Sequence, residues 1–170
     1  MKKVFFLAAL LVCSIAAQAQ RFALVDMEYI LKQIPAYEQA NQQMESLSKQ
    51  WQSEVEAKAQ EAKTMYDEYQ KNASNLSANQ KTAQENAIIA KEKEAADLRK
   101  KYFGPEGEGM KKRQELITPI QDAIYNAIKD IATQKNYDAV IDRASAQSMI
   151  FASPRIDISN EVLAKLGYSN

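Results

Sequence analysis

Residues 36–103 form a run of 68 positions with no glycine and no proline, the two strongest helix breakers. The run holds 10 Lys/Arg, 11 Asp/Glu and 14 Asn/Gln, too many polar side chains to bury as a compact core. Glu45/Lys49, Glu54/Lys58, Asp67/Lys71 and Asp97/Lys101 fall at i,i+4 with the acid first, the orientation that supports an exposed helix. One straight helix of that length would reach about 100 Å, and a folded-back pair about 50 Å each. A compact domain of this chain length has a radius of gyration near ~15 Å. The sequence therefore predicts solvated arms that project beyond any core the remaining residues can build.

Met44, Leu47, Trp51, Val55, Ala59, Ala62, Tyr66, Tyr69, Ala73 and Leu76 step by three or four along the run, a narrow apolar stripe suited to one partner helix. The turn formers of residues 72–79 place a hairpin tip there. The return arm, about 79–102, is thinner in large apolar residues, with Ile88, Ile89, Ala95, Leu98 and Tyr102. Few buried contacts per residue is the condition for local flexibility. Residues 103–109 hold three of the four glycines, Gly104, Gly107 and Gly109, together with Pro105. They lack the Gly-Lys-Ser/Thr ending of a phosphate loop and carry two glutamates that would repel phosphate. Two readings stand for this break: a hinge that lets the arm swing, or a passive loop that offsets it.

Both ends of the chain are β-prone. Arg21 to Asp26 reads as a strand, Met27 to Gln33 as a short helix stopped before Pro35. A further helix runs from about Met110 to Lys135, bent by Pro119. Tyr137–Asp142 and Gln147–Phe151 read as two more strands. A last helix, capped by Ser159 or Asn160, stops at Gly167. The fold class is α+β, with a β body of residues 20–36 and 115–170 and a helical hairpin arm of residues 37–114. Three short strands make a marginal sheet with exposed edges, so association of copies is expected, with Phe22, Leu24, Val140, Ile141, Met149, Ile150 and Phe151 at the interface.

Residues 1–19 read as a secretory signal. Lys2 and Lys3 precede an apolar stretch from Val4 to Ala17, and Ala17-Gln18-Ala19 offers small residues before a cut near Ala19. The stretch is too short to cross a bilayer. Cys13, the only cysteine, lies inside it, and Val12 stands where a lipoprotein signal needs a small residue. The mature chain is thus expected to lack cysteine, so packing or oligomerisation must stabilise it without disulfides. It keeps 20 basic against 22 acidic side chains and has no histidine. That balance argues against a nucleic-acid partner, and the missing imidazole excludes His-dependent triads and metal sites. Asp26, Asp138 and Asp142 sit at strand ends, where capping a turn explains them better than a catalytic or metal pair. No catalytic, cofactor or metal residue is identified.

Two other clusters admit more than one reading. Lys111-Lys112-Arg113 could meet anionic lipid head groups or acidic clients, or form a solvated helix face beside Glu106, Glu108 and Glu115; the solvated face is favoured. Met44, Leu47, Trp51, Met65, Tyr66, Tyr69, Ile88 and Ile89 could line a surface for varied apolar partners, or only pack one arm on the other. Met65 and Tyr66 are adjacent and cannot both face the same helix, so one must look outward.

At this point the chain resembles the Skp/OmpH family of periplasmic chaperones. The likeness lies in Phe22-Ala23-Leu24-Val25-Asp26-Met27, Leu116-Ile117-Thr118-Pro119-Ile120-Gln121, Tyr137-Asp138-Ala139-Val140-Ile141-Asp142 and Asp157-Ile158-Ser159-Asn160-Glu161-Val162-Leu163. The resemblance implies a homotrimer built like a jellyfish, a β body with three helical tentacles around a cavity. It implies an ATP-independent holdase for unfolded outer-membrane proteins in the periplasm, with no cofactor. Well-studied members are strongly basic, so the near-neutral charge here leaves lipopolysaccharide contact unsupported. A coiled-coil adaptor that tethers envelope components is the rival reading.

Overall fold

The computed structural model describes residues 21–146 and 148–168; the expected signal segment lies outside the described residues. In chain order the elements are β1 (Phe22–Val25), α1 (Met27–Lys32), α2 (Pro35–Asn72), a 3-10 turn (Ala73–Asn75), α3 (Ala78–Phe103), α4 (Glu108–Lys135), β2 (Ala139–Asp142), a second 3-10 turn (Pro154–Ile156) and α5 (Ser159–Lys165). This is the expected α+β class. Two compact units divide the chain, one from the described residues up to 34 and from 122 onward, the other from residues 35–121.

In the first unit β1 and β2 pair in parallel, with Phe22 opposite Ala139 and Val25 opposite Asp142. The other edge of β1 is used as well, by a parallel bridge from Leu24 to Asp157. Ala23, Leu24 and Val25 are all buried, the continuous apolar run of a strand covered on both faces. Ile30 and Ile34, Ile124, Ala127 and Ile131 of α4, and Ile158, Val162 and Leu163 complete this core. The 3- and 4-residue steps of the α4 trio mark its buried face. Asn136 ends that helix at φ +53°, and the Tyr137 N–H donates back to the Ala132 carbonyl at 2.9 Å; asparagine tolerates this left-handed cap.

Two expectations fail in this unit. The second C-terminal strand, expected over residues 147–151, is absent among the described residues: 148–151 are irregular, Ile150 is fully exposed and Phe151 is 83 % exposed. Strand propensity is chiefly fit to neighbouring strands, and residues 148–151 join neither β1 nor β2. The final helix is capped by Ile158, not Ser159 or Asn160, and makes no side-chain cap bond. The Ser159 hydroxyl serves the fold instead, accepting from the Asp26 N–H at 2.8 Å. Gly167 does follow the helix, at φ +86°.

In the second unit α2 runs 38 residues and α3 26, about 57 and 39 Å at 1.5 Å per residue. Pro35 opens α2, a position that its fixed φ suits. At the turn, Ser77 and Gln80 form a reciprocal capping box: the Ser77 hydroxyl accepts from the Gln80 N–H, and the Gln80 side chain from the Ser77 N–H. The polar stretch that broke the charge pattern is thus a helix stop and a helix start in five residues.

Candidate functional site

The hairpin of α2 and α3 is held by few large side chains. Val55 and Ala62 of α2 and Ile88, Ala95 and Tyr102 of α3 are buried, and the two alanines among them leave the seam shallow. Met44, Leu47, Trp51, Met65 and Tyr69 are half-buried. Tyr66 is 46 % and Ile89 60 % exposed. Of the adjacent pair, Tyr66 is therefore the one that looks outward, and of Ile88-Ile89 it is Ile89. A cleft of about 410 Å³ beside the seam is lined by Val55, Ala59, Ala62, Tyr66, Ala95 and Arg99, among others.

Of the four expected ion pairs only Glu45–Lys49 closes, at 2.6 Å. Lys58 turns to Glu61 at 3.0 Å, and Asp67 takes Lys63 at 3.3 Å. Lys101 lies over the Tyr102 ring. Glu54 has a better partner than a solvated lysine: it accepts from the Tyr102 phenol at 2.5 Å. That bond, joined by partial desolvation, holds the Tyr102 pKa above its ordinary value. Toward the tip Tyr69 donates in the same way to Glu85, and its pKa is raised for the same reason. Each tyrosine thus links α2 to α3 by its hydroxyl, and Tyr102 does so by its ring as well.

The thickest packing lies at the open end of the hairpin. The Trp51 and Tyr102 rings stack at 5.1 Å and 12°. Phe103 meets Trp51 edge-on at 6.3 Å and 83°, arrangements that aromatic quadrupoles favour. The Gly-rich break is fitted against this cluster. A Cβ at Gly109 would lie 2.9 Å from the Tyr102 carbonyl oxygen and 3.5 Å from Trp51 Cζ3; one at Gly107 would lie 2.8 Å from the Lys101 oxygen; one at Gly104 would strike the Lys100 oxygen. The glycines let the start of α4 approach the end of α3 more closely than any side chain permits. Beside the cluster lies a cavity of about 600 Å³ whose lining includes Met44, Trp51, Phe103, Met110 and Arg113.

Residue spacing alone did not pick out Tyr102 and Phe103 as partners of Trp51; the available signal was an aromatic pair abutting the break. It also missed the polar staple at the strand ends of the other unit. Arg143 donates to Asp26 and to Asp157, both at 3.1 Å. Asp26 caps α1 through the Tyr29 N–H, Asp138 accepts from the Arg21 N–H, and Asp142 accepts from the Met27 and Ala144 N–H groups. Asp26 and Asp142 thus serve a cap and a turn, while Asp138 ties its end of β2 to the residue before β1. Among the described residues no cluster of carboxylates could hold a metal ion.

Of the expected interface residues, Leu24 is buried within its own chain at 3 %, so its burial needs no partner. Val140 and Met149 are half-buried. Phe22 and Ile141 are exposed by about two-fifths, and Ile150 and Phe151 almost wholly.

A family model described as outer membrane protein (OmpH-like) matches residues 21–166. The chain belongs to the OmpH-like family. It is 29% identical over 158 residues to the chaperone protein Skp of Yersinia enterocolitica, covering 92% of each chain. It is 30% identical over 127 residues to that of Photorhabdus luminescens, covering 75% of each. An OmpH-like protein from Caulobacter crescentus, of known structure, shares the fold with a TM-score of 0.67 at 10% identity, over 89% of this chain and 86% of that one. The family is a chaperone family, and no helix among the described residues is long and apolar enough to cross a membrane.

Proposed function

We propose that this protein is an ATP-independent holdase for unfolded outer-membrane proteins, exported to the periplasm with its signal removed near Ala19 and working as a homotrimer. It carries out no catalysis and needs no cofactor. The single observation that carries the reading is the hairpin seam: a long helical pair whose buried stripe is alanine-thin and whose Tyr66, Ile89 and Phe103 stay at the surface. Such a seam offers many weak apolar contacts to an extended client strand and none strong enough to trap it. Capture and release without nucleotide then run on those contacts, with folding into the membrane as the better sink.

The residues that carry client contact are Met44, Leu47, Trp51, Met65, Tyr66, Tyr69 and Ile89; Ile88, at 6 % exposure, holds the seam. The exposed Phe22, Ile141, Ile150 and Phe151 supply contacts between copies, since apolar groups this exposed in one chain are covered most simply by another. The glycine-rich joint sets the arm's position, with Gly104, Pro105, Gly107 and Gly109 as the point about which it pivots. The deciding experiment dilutes a urea-unfolded β-barrel into buffer with the mature protein at near-stoichiometric ratios and follows light scattering. A holdase keeps the barrel soluble. An envelope tether leaves it to aggregate, and that result would overturn the reading.

A further inference from the structure

The Lys111-Lys112-Arg113 run is not one uniform basic face. Lys111 pairs with Glu108 at 3.4 Å and Lys112 with Glu115 at 2.7 Å. Arg113 has no carboxylate partner among the described residues. It lines the cavity of about 600 Å³ at the open end of the hairpin, where the other charged lining residues, Glu45 and Lys49, neutralise each other at 2.6 Å. The cavity therefore combines an aromatic and thioether wall of Trp51, Phe103, Met44 and Met110 with one uncompensated guanidinium. Its volume lies within the range of small-ligand sites.

We propose that this cavity binds the carboxyl-terminal residue of a client polypeptide when that residue is aromatic. The client's ring lies against the Trp51–Phe103–methionine wall, and its α-carboxylate meets Arg113. Rings and thioethers select a ring by stacking, edge contact and sulfur polarisability, and a planar guanidinium selects a carboxylate. In a chain end both groups belong to one residue. An internal aromatic residue would leave Arg113 unmatched. The proposal rests on the holdase reading and gives its clients a specific handle in addition to the diffuse seam.

Trp51 is the only tryptophan and forms part of the wall, so its emission reports occupancy directly. The mature protein is titrated with acetyl-Gly-Phe as the free acid, with the same peptide as the amide, and with acetyl-Gly-Ala as the free acid. The free-acid phenylalanine peptide is expected to shift Trp51 emission saturably and to bind about fivefold tighter than its amide, the factor that a partly exposed ion pair of about 1 kcal/mol supplies. The alanine peptide should bind weaker still. Arg113→Gln, an exposed substitution whose fold is checked by its melting curve, should bring acid and amide to the same affinity. Equal binding of acid and amide by the wild type, or a preference that survives Arg113→Gln, overturns the proposal. Barrel aggregation followed on the same samples separates the two readings. Suppression without peptide binding defeats the cavity's role alone, whereas peptide binding without suppression defeats the holdase reading and leaves a chain-end site.

Discussion

Asp26 shows how much one side chain at a strand end can carry. Its carboxylate caps α1 through the Tyr29 N–H and takes Arg143 on the other oxygen. These bonds, the helix cap first, hold its pKa below the ordinary 3.8. A carboxyl depressed in the folded state contributes stability that is fully present above its unfolded pKa and is lost as pH falls through the folded one. Urea midpoints of the wild type should thus fall below about pH 4 through this group, and Asp26→Asn should flatten that part of the profile. Asp26→Ala should cost about 1 kcal/mol at neutral pH by uncapping the helix. An Asp26→Asn profile that parallels the wild type would assign the acid sensitivity elsewhere. The aspartate was legible as a turn former from its place after an apolar run. Its partners were not, because Arg143 and Ser159 lie 117 and 133 residues away and only closure of the fold brings them to it.

Among elements, the helices were the most readable part. A long stretch free of glycine and proline with a 3-to-4 step has only one regular structure open to it, and α2 and α3 fill it with a single interruption at the polar turn. Individual surface pairs read poorly, since a solvated lysine gains nearly as much from one nearby acid as from another; Glu54 chose Tyr102, a partner from another helix. The strand at 147–151 was misread because propensity is satisfied only by pairing with a neighbour, and residues 148–151 pair with none. At the joint between α3 and α4, the glycines looked like missing helix propensity and are in fact sites of close approach. Gly107→Ala should therefore lower thermal stability by more than the ordinary alanine gain at a glycine, which is about 0.4–1 kcal/mol in the opposite direction. Trp51 emission should change with it, because the joint closes on that ring. An alanine variant as stable as the wild type would show that α4 can shift away from α3 without cost.

For the whole molecule, the two units make separate demands. The core of the first unit is assembled from Ile30, Ile124, Val162 and their neighbours, all buried within one chain, so a single copy already satisfies it. Ile150→Asp places its charge at a fully exposed position and should leave a folded chain while breaking the association of copies. At micromolar concentration sedimentation should find the wild type as the proposed trimer and this variant as a folded monomer. A variant that stays trimeric would move the interface away from residues 148–151. Replacing residues 45–100 with a short Gly/Ser turn should spare the first unit, whose residues it does not touch, and abolish suppression of barrel aggregation. Retained suppression by the shortened protein would put client binding in the first unit.

The parallel pairing of β1 with β2 also fixes an order of events. Arg21 and Asp138 are 117 residues apart, so the sheet cannot register until nearly the whole chain is available to fold. The hairpin needs no such wait, since Trp51 and Tyr102 meet within its own sequence and its turn is capped locally. Loop-closure entropy rises with the logarithm of the intervening length, and contacts of long sequence separation form slowly. A hairpin that zips first, from Pro35 to Phe103, takes its own length out of the loop the strands must close. On these grounds the arm is expected to form ahead of the sheet, acting as the chain's first scaffold.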